Sequence, residues 1–158
     1  MVQTVLEIIL EELGHTSLIA INSLRPNDRN TCLIPLPDGI KIQIELDKYE
    51  KNLIVGIALG NLSQTSLYRK NVFQMALIAN GLPPPQYGIF AFSKKTGDLL
   101  LYDALDMKDL SGQKVADYLG FFLEKARNWR QALESGNIPH VSATQTSKGP
   151  IGVFGLKL

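Results

Sequence analysis

Apolar residues recur every three or four positions at the start of the chain: Leu6, Ile9, Leu10 and Leu13, with Gly14 directly after. That spacing predicts an amphipathic helix over 2–13, stopped by the glycine. Val5 and Ile8 add a second apolar stripe that a single helix–sheet contact would not consume. Residues 15–30 carry Asn22, Ser23, Pro26, Asn27 and Asp28 and read as a long loop. From Thr31 the period becomes two. Cys32–Leu36 reads as a short strand that Pro35 places at an edge or strand end, and Pro37-Asp38-Gly39 as a turn. Ile40, Ile42, Ile44 and Leu46 alternate with Lys41, Gln43 and Glu45, the pattern of a half-buried antiparallel strand. After the polar turn Asp47–Asn52, Leu53–Leu59 is apolar on both faces and reads as a central strand.

A second helix is predicted from Ser66 to Ala79, closed by Asn80-Gly81 and followed by Pro83-Pro84-Pro85. Within Val72–Ala79 only Gln74 is polar, so this helix needs cover on more than one side. The sheet supplies one cover and a second subunit is the expected other. Strands follow at Tyr87–Phe92 and Leu99–Tyr102, joined by the hairpin tip Ser93–Asp98. Val115, Leu119, Phe122, Ala126, Trp129 and Leu133 then form one stripe about five turns long, with Ser111 placed to cap it and Gly136 and Pro139 to end it. Residues 135–158 lose periodicity and read as a C-terminal tail, either flexible or docked on the body through its apolar stretch Ile151–Leu156. The order α-β-β-β-α-β-β-α predicts a single α+β domain over residues 1–134, with three helices on an antiparallel sheet of about five strands.

Composition narrows the function classes. The chain of 158 residues holds 16 Lys+Arg against 15 Asp+Glu, a net charge of +1, so a clustered basic surface for nucleic acid is not expected. Lys94-Lys95 is too small a patch to change that. One cysteine, Cys32, forbids an intramolecular disulfide and fits a reducing cytosol. No stretch approaches the ~20 apolar residues that span a bilayer, and the start lacks the marks of a signal peptide. The expectation is a cytoplasmic protein without membrane insertion.

Catalytic chemistry is sparse. His15, His140 and Cys32 have no metal-ligand spacing, and no G-x-S-x-G, Walker A, H-E-x-x-H or G-x-G-x-x-G motif occurs. Cys32 lies in an apolar strand pattern and reads as a small buried hydrophobe. Asp103, Asp106 and Asp109 follow the predicted fifth strand; without a histidine or a glycine-rich calcium loop they read as turn residues ahead of a helix. The triple proline reads as a stiff connection. No metal, cofactor or catalytic residue is expected. What remains is a binding module with surplus apolar faces. Its alternatives are a non-catalytic adaptor for folded partners and a small hydrolase using Cys32 or Asp103/Asp106.

The element order, together with Phe73–Gly81, Gly97–Leu105 and Leu119-x-x-Phe122-Leu123-x-x-Ala126-x-x-Trp129, resembles the class I type III secretion chaperones, the Tir-chaperone-like family. The resemblance covers roughly residues 1–134. It departs in charge: such chaperones are typically acidic, whereas this chain has a pI near 7.8. The resemblance implies a bacterial cytosolic homodimer, with the middle helix at the interface. It implies effector proteins as partners, their N-terminal segments held extended, and no nucleotide hydrolysis. With the surplus stripes it predicts a dimer interface of Val72, Phe73, Met75, Ala76 and Ala79. It predicts a client surface of Val5, Ile8, Ile9, Ile34 and Leu36.

Overall fold

The computed structural model describes residues 2–62 and 66–141. Helix α1 (Val5–Gly14) begins three residues later than the apolar spacing predicts, because Thr4 caps it. The Thr4 hydroxyl accepts from the Glu7 N–H at 3.2 Å, and the Glu7 carboxylate accepts from the Thr4 N–H at 2.9 Å. This reciprocal pair satisfies two donors that a helix start otherwise leaves open. Residues 15–30 form turns rather than a regular element, yet Ile19 and Leu24 are buried and stitch the segment to the core. A Cβ on Gly14 would lie 2.3 Å from the Ile21 carbonyl oxygen, so the fold-back there requires glycine.

Five strands follow: β1 (Thr31–Pro35), β2 (Lys41–Leu46), β3 (Asn52–Asn61), β4 (Ile89–Phe92) and β5 (Asp98–Asp106). They form one antiparallel sheet in the order β1-β2-β3-β5-β4, with β3 central as its two-sided apolar pattern predicts. Strand β5 runs to Asp106 rather than stopping at Tyr102, so Asp103 and Asp106 sit within it and not after it. Polar residues at a strand end mimic a turn in sequence; here they keep the ladder with β3, Asn52 facing Asp106.

Helix α3 (Gly112–Glu134) starts at Ser111, whose hydroxyl accepts from the Lys114 N–H, and buries Val115, Leu119, Phe122, Ala126 and Trp129. It packs against α1 and β3. At the α1 crossing, a Cβ on Gly112 would meet Glu12 Cβ at 2.3 Å and the Leu13 nitrogen at 2.5 Å. The Glu12 carboxylate accepts from the Gly112 N–H at 2.7 Å and ties the two helices together. These helices cover the sheet face that carries Ile42, Ile44, Val55, Ile57 and Leu101, all buried. Helix α2 (Ser66–Asn80) lies instead beside the edge strand β4. The element order and architecture are those predicted from the sequence.

Candidate functional site

Among the described residues, eight of the twelve exposed large apolar side chains fall into three groups. The first is on α1, to which β1 adds Leu33 on the side of the sheet away from that helix. On α1, Val5 is 60% exposed and Ile8 is 41% exposed, while Ile9 shares the buried face with Leu6, Leu10 and Leu13. On β1 the pleat turns Cys32 and Ile34 inward and leaves Leu33 56% exposed. Leu36 is also buried. Of the five predicted client residues, Val5 and Ile8 therefore lie on the surface, and Ile9, Ile34 and Leu36 lie in the core. Leu33, absent from that predicted set, takes the outward place. Strand parity was the available signal: Leu33 pairs with polar Gln43, and Ile34 with Ile42.

The backbone edge of β1 is narrow. Thr31 exchanges bonds with Asn27: its N–H donates to Asn27 Oδ1 at 3.0 Å, and its carbonyl accepts from the Asn27 N–H at 2.8 Å. By antiparallel alternation, Leu33 is the next residue whose backbone points away from β2, and Pro35 after it has no N–H. The opposite edge is closed more firmly. Asn80 of α2 brackets Phe90 in β4, donating to its carbonyl at 3.0 Å and accepting from its N–H at 2.9 Å. Both arrangements blunt a sheet edge against uncontrolled strand pairing.

The second group is the outer face of α2. Leu67, Leu77 and Ile78 are 68%, 71% and 50% exposed. Val72, Ala76 and Ala79, predicted at a dimer interface, face the chain's own core, and Phe73 and Met75 are half-buried against it. An almost uniformly apolar helix hides which side is inward, so spacing alone could not separate Ala76 from Leu77. Phe73 meets Phe92 edge to face at 5.0 Å, forming the wall of an apolar groove of about 270 Å³ between α2 and β4.

The third group is the sheet face opposite α1 and α3. One register row, Leu33–Gln43–Gly56–Tyr102–Ile89, crosses all five strands there. Leu33, Tyr102 and Ile89 are exposed, and Gly56 opens a shallow trough of about 380 Å³ along the row.

The polar groups that could carry chemistry are engaged structurally. Cys32 is buried, which pushes its thiol above the usual range and away from the reactive thiolate. Asp103 points to the helix side, where it accepts from the Tyr118 hydroxyl and from the Gly88 N–H at 3.2 Å. Burial and this carboxylate push the Tyr118 hydroxyl far above the ordinary tyrosine range. Asp106, three residues on in a strand, faces the other side of the sheet and accepts from the Lys108 N–H. The pleat thus separates the Asp103/Asp106 pair. Lys125 donates to the Gly88 carbonyl at 3.0 Å and lies over the Phe90 ring, and burial lowers its pKa. Among the described residues, no group of three or more His, Cys, Asp or Glu could hold a metal ion. No helix among them is long and apolar enough to cross a membrane.

Comparison with known proteins agrees with this geometry. The model of the Tir chaperone protein (CesT) family matches residues 9–130. A chain of the HopA1–SchA chaperone–effector complex is similar in fold, with TM-score 0.62 and 19% identity over 78% of this chain and 91% of that one. A chain of the Yersinia pestis type III secretion chaperone SycH in complex with a stable fragment of YscM2 gives TM-score 0.59 and 22% identity, over 77% and 97%. A chain of the heterodimeric ExoU–SpcU complex from the type III secretion system of Pseudomonas aeruginosa gives TM-score 0.55 and 16% identity, over 85% and 98%. A search of the curated proteins returned no match.

Proposed function

Because the chain belongs to the Tir chaperone protein (CesT) family, we propose that it is a type III secretion chaperone. In this reading it is a non-catalytic protein of the bacterial cytosol that acts as a homodimer. It binds the N-terminal region of effector proteins in extended form and keeps them soluble and competent for secretion. The observation that carries the proposal is the set of large apolar side chains that one copy leaves uncovered on α1, β1 and α2. A second copy covers Leu67, Leu77 and Ile78 and fills the groove beside Phe73. The client covers Val5, Ile8 and Leu33 and extends into the trough over Gly56. The narrow β1 edge means that side-chain pockets, more than added strand hydrogen bonds, hold the client. Holding a segment unfolded needs only binding that outcompetes its collapse or aggregation, so no catalytic group is required. The engaged Asp103 and buried Cys32 support that reading over a hydrolase.

The test compares the chain with its Ile8→Asp variant, each tagged and recovered from a type III-secreting bacterium, with bound proteins identified by mass spectrometry. The expected result is recovery of exported proteins through short N-terminal segments, sharply reduced by Ile8→Asp at unchanged circular dichroism. Partners that are folded in the complex, or equal recovery by the variant, would overturn it.

A further inference from the structure

Two adjoining hollows of about 530 and 740 Å³ share Tyr87, Lys125, Trp129 and His140 and form one cleft. It lies between α3, the proline loop at 83–88 and residues 137–141, and only the last of these walls follows the 9–130 segment that the family match covers. Its wall is aromatic: Tyr87 stacks on Phe121 at 4.6 Å, and Phe121 is 54% exposed. Ile138 is exposed in the same wall.

The chain itself is led into this cleft. Gly136 turns it off α3 at φ +70°, the Tyr68 hydroxyl donates to the Asn137 carbonyl at 2.9 Å, and Pro139 is buried. His140 and Val141 then line the cleft, and Val141 is the last described residue. The sequence continues with the polar stretch 142–150 and then Ile151-Gly152-Val153-Phe154-Gly155-Leu156. Nine linker residues reach ~30 Å when extended and average ~16 Å when flexible, enough to fold back on the point of exit. Such a tether holds its end at an effective concentration on the order of millimolar, which favours this segment over any free competitor of similar apolarity.

We propose that residues 151–156 of the same chain dock in this cleft, with Phe154 against the Tyr87–Phe121 wall. A nitroxide placed at position 157 (Lys157→Cys, with Cys32→Ala) in the full chain tests this by NMR. The expected result is at least fivefold broadening of the Tyr87, Phe121 and Lys125 amide signals relative to the 47–51 turn. That turn sits at the far end of β3 from Gly60, the end that meets Leu133 of α3. Adding Phe154→Asp should abolish the broadening, and tenfold dilution should leave it unchanged. Uniform broadening, or broadening that survives Phe154→Asp, would overturn the proposal. Broadening lost on dilution would also overturn it by assigning the cleft to a neighbouring copy. The outcome is independent of whether effectors bind, so it does not stand or fall with the chaperone reading.

Discussion

Gly112 and Gly120 lie eight positions apart on α3 and make opposite demands. A Cβ at Gly112 would strike α1, whereas one at Gly120 would meet nothing within 4 Å. Gly112→Ala should therefore cost about 1–3 kcal/mol through forced separation of the helices. Gly120→Ala should stabilise by about 0.5–1 kcal/mol, because alanine loses less backbone freedom in a helix. Urea unfolding of the two variants checks both signs. Asp38 in the β1–β2 turn accepts from Arg127 Nε at 2.7 Å, and its carbonyl accepts from Arg130 at 3.0 Å. The Arg127 bond holds the Asp38 carboxyl below its ordinary value. A carboxylate with a lowered folded pKa contributes stability above its unfolded value, and that contribution disappears as pH falls through the folded one. Both side chains are well exposed, so Arg127→Ala should cost only about 0.2–1 kcal/mol at pH 7. The difference from the parent chain should vanish once falling pH has protonated Asp38, in denaturation curves taken across pH.

Adjacent residues of α2 belong to different surfaces, and that contrast separates an interface from a core. Leu77→Glu places a charge on an exposed position and should leave the chain folded by circular dichroism while abolishing the proposed dimer, lowering the unfolding midpoint only by what association contributed. Ala76→Glu buries an unpaired charge in the chain's own interior and should unfold it. Light scattering and circular dichroism on the pair distinguish the two. The same contrast shows what pattern could and could not reveal. The α3 stripe was legible because its polar face breaks the apolar run at every turn. The inward side of α2 was not legible, because alanine, leucine and isoleucine there carry no polarity contrast. On β1 a one-residue offset exchanges faces, so Ile34 and Leu33 trade roles. Thr4-x-x-Glu7, a readable capping box, would have placed the start of α1 correctly. Strand β5 could not be followed past Tyr102, since Asp103 and Asp106 carry the residue type of a turn while keeping strand geometry.

At the scale of the whole molecule, a net charge of +1 and the exposed apolar groups on α1, α2 and the open sheet face support, under the proposed function, recognition of apolar segments rather than of charge. Raising salt from 0.1 to 1 M should therefore leave retention of a bound client unchanged or strengthened, which a pull-down across salt concentrations measures. The surfaces on α1, α2 and the open sheet face lie on elements anchored by the deepest core residues, so they can stay rigid while a partner adapts to them. The claim beneath all of this is that one copy leaves apolar surface for another copy to cover. The mass of the purified chain by multi-angle light scattering tests it most directly. The expected mass is twice 17.5 kDa for the chain and 17.5 kDa for its Leu77→Glu variant. A mass of 17.5 kDa for the unaltered chain at micromolar concentration would contradict it.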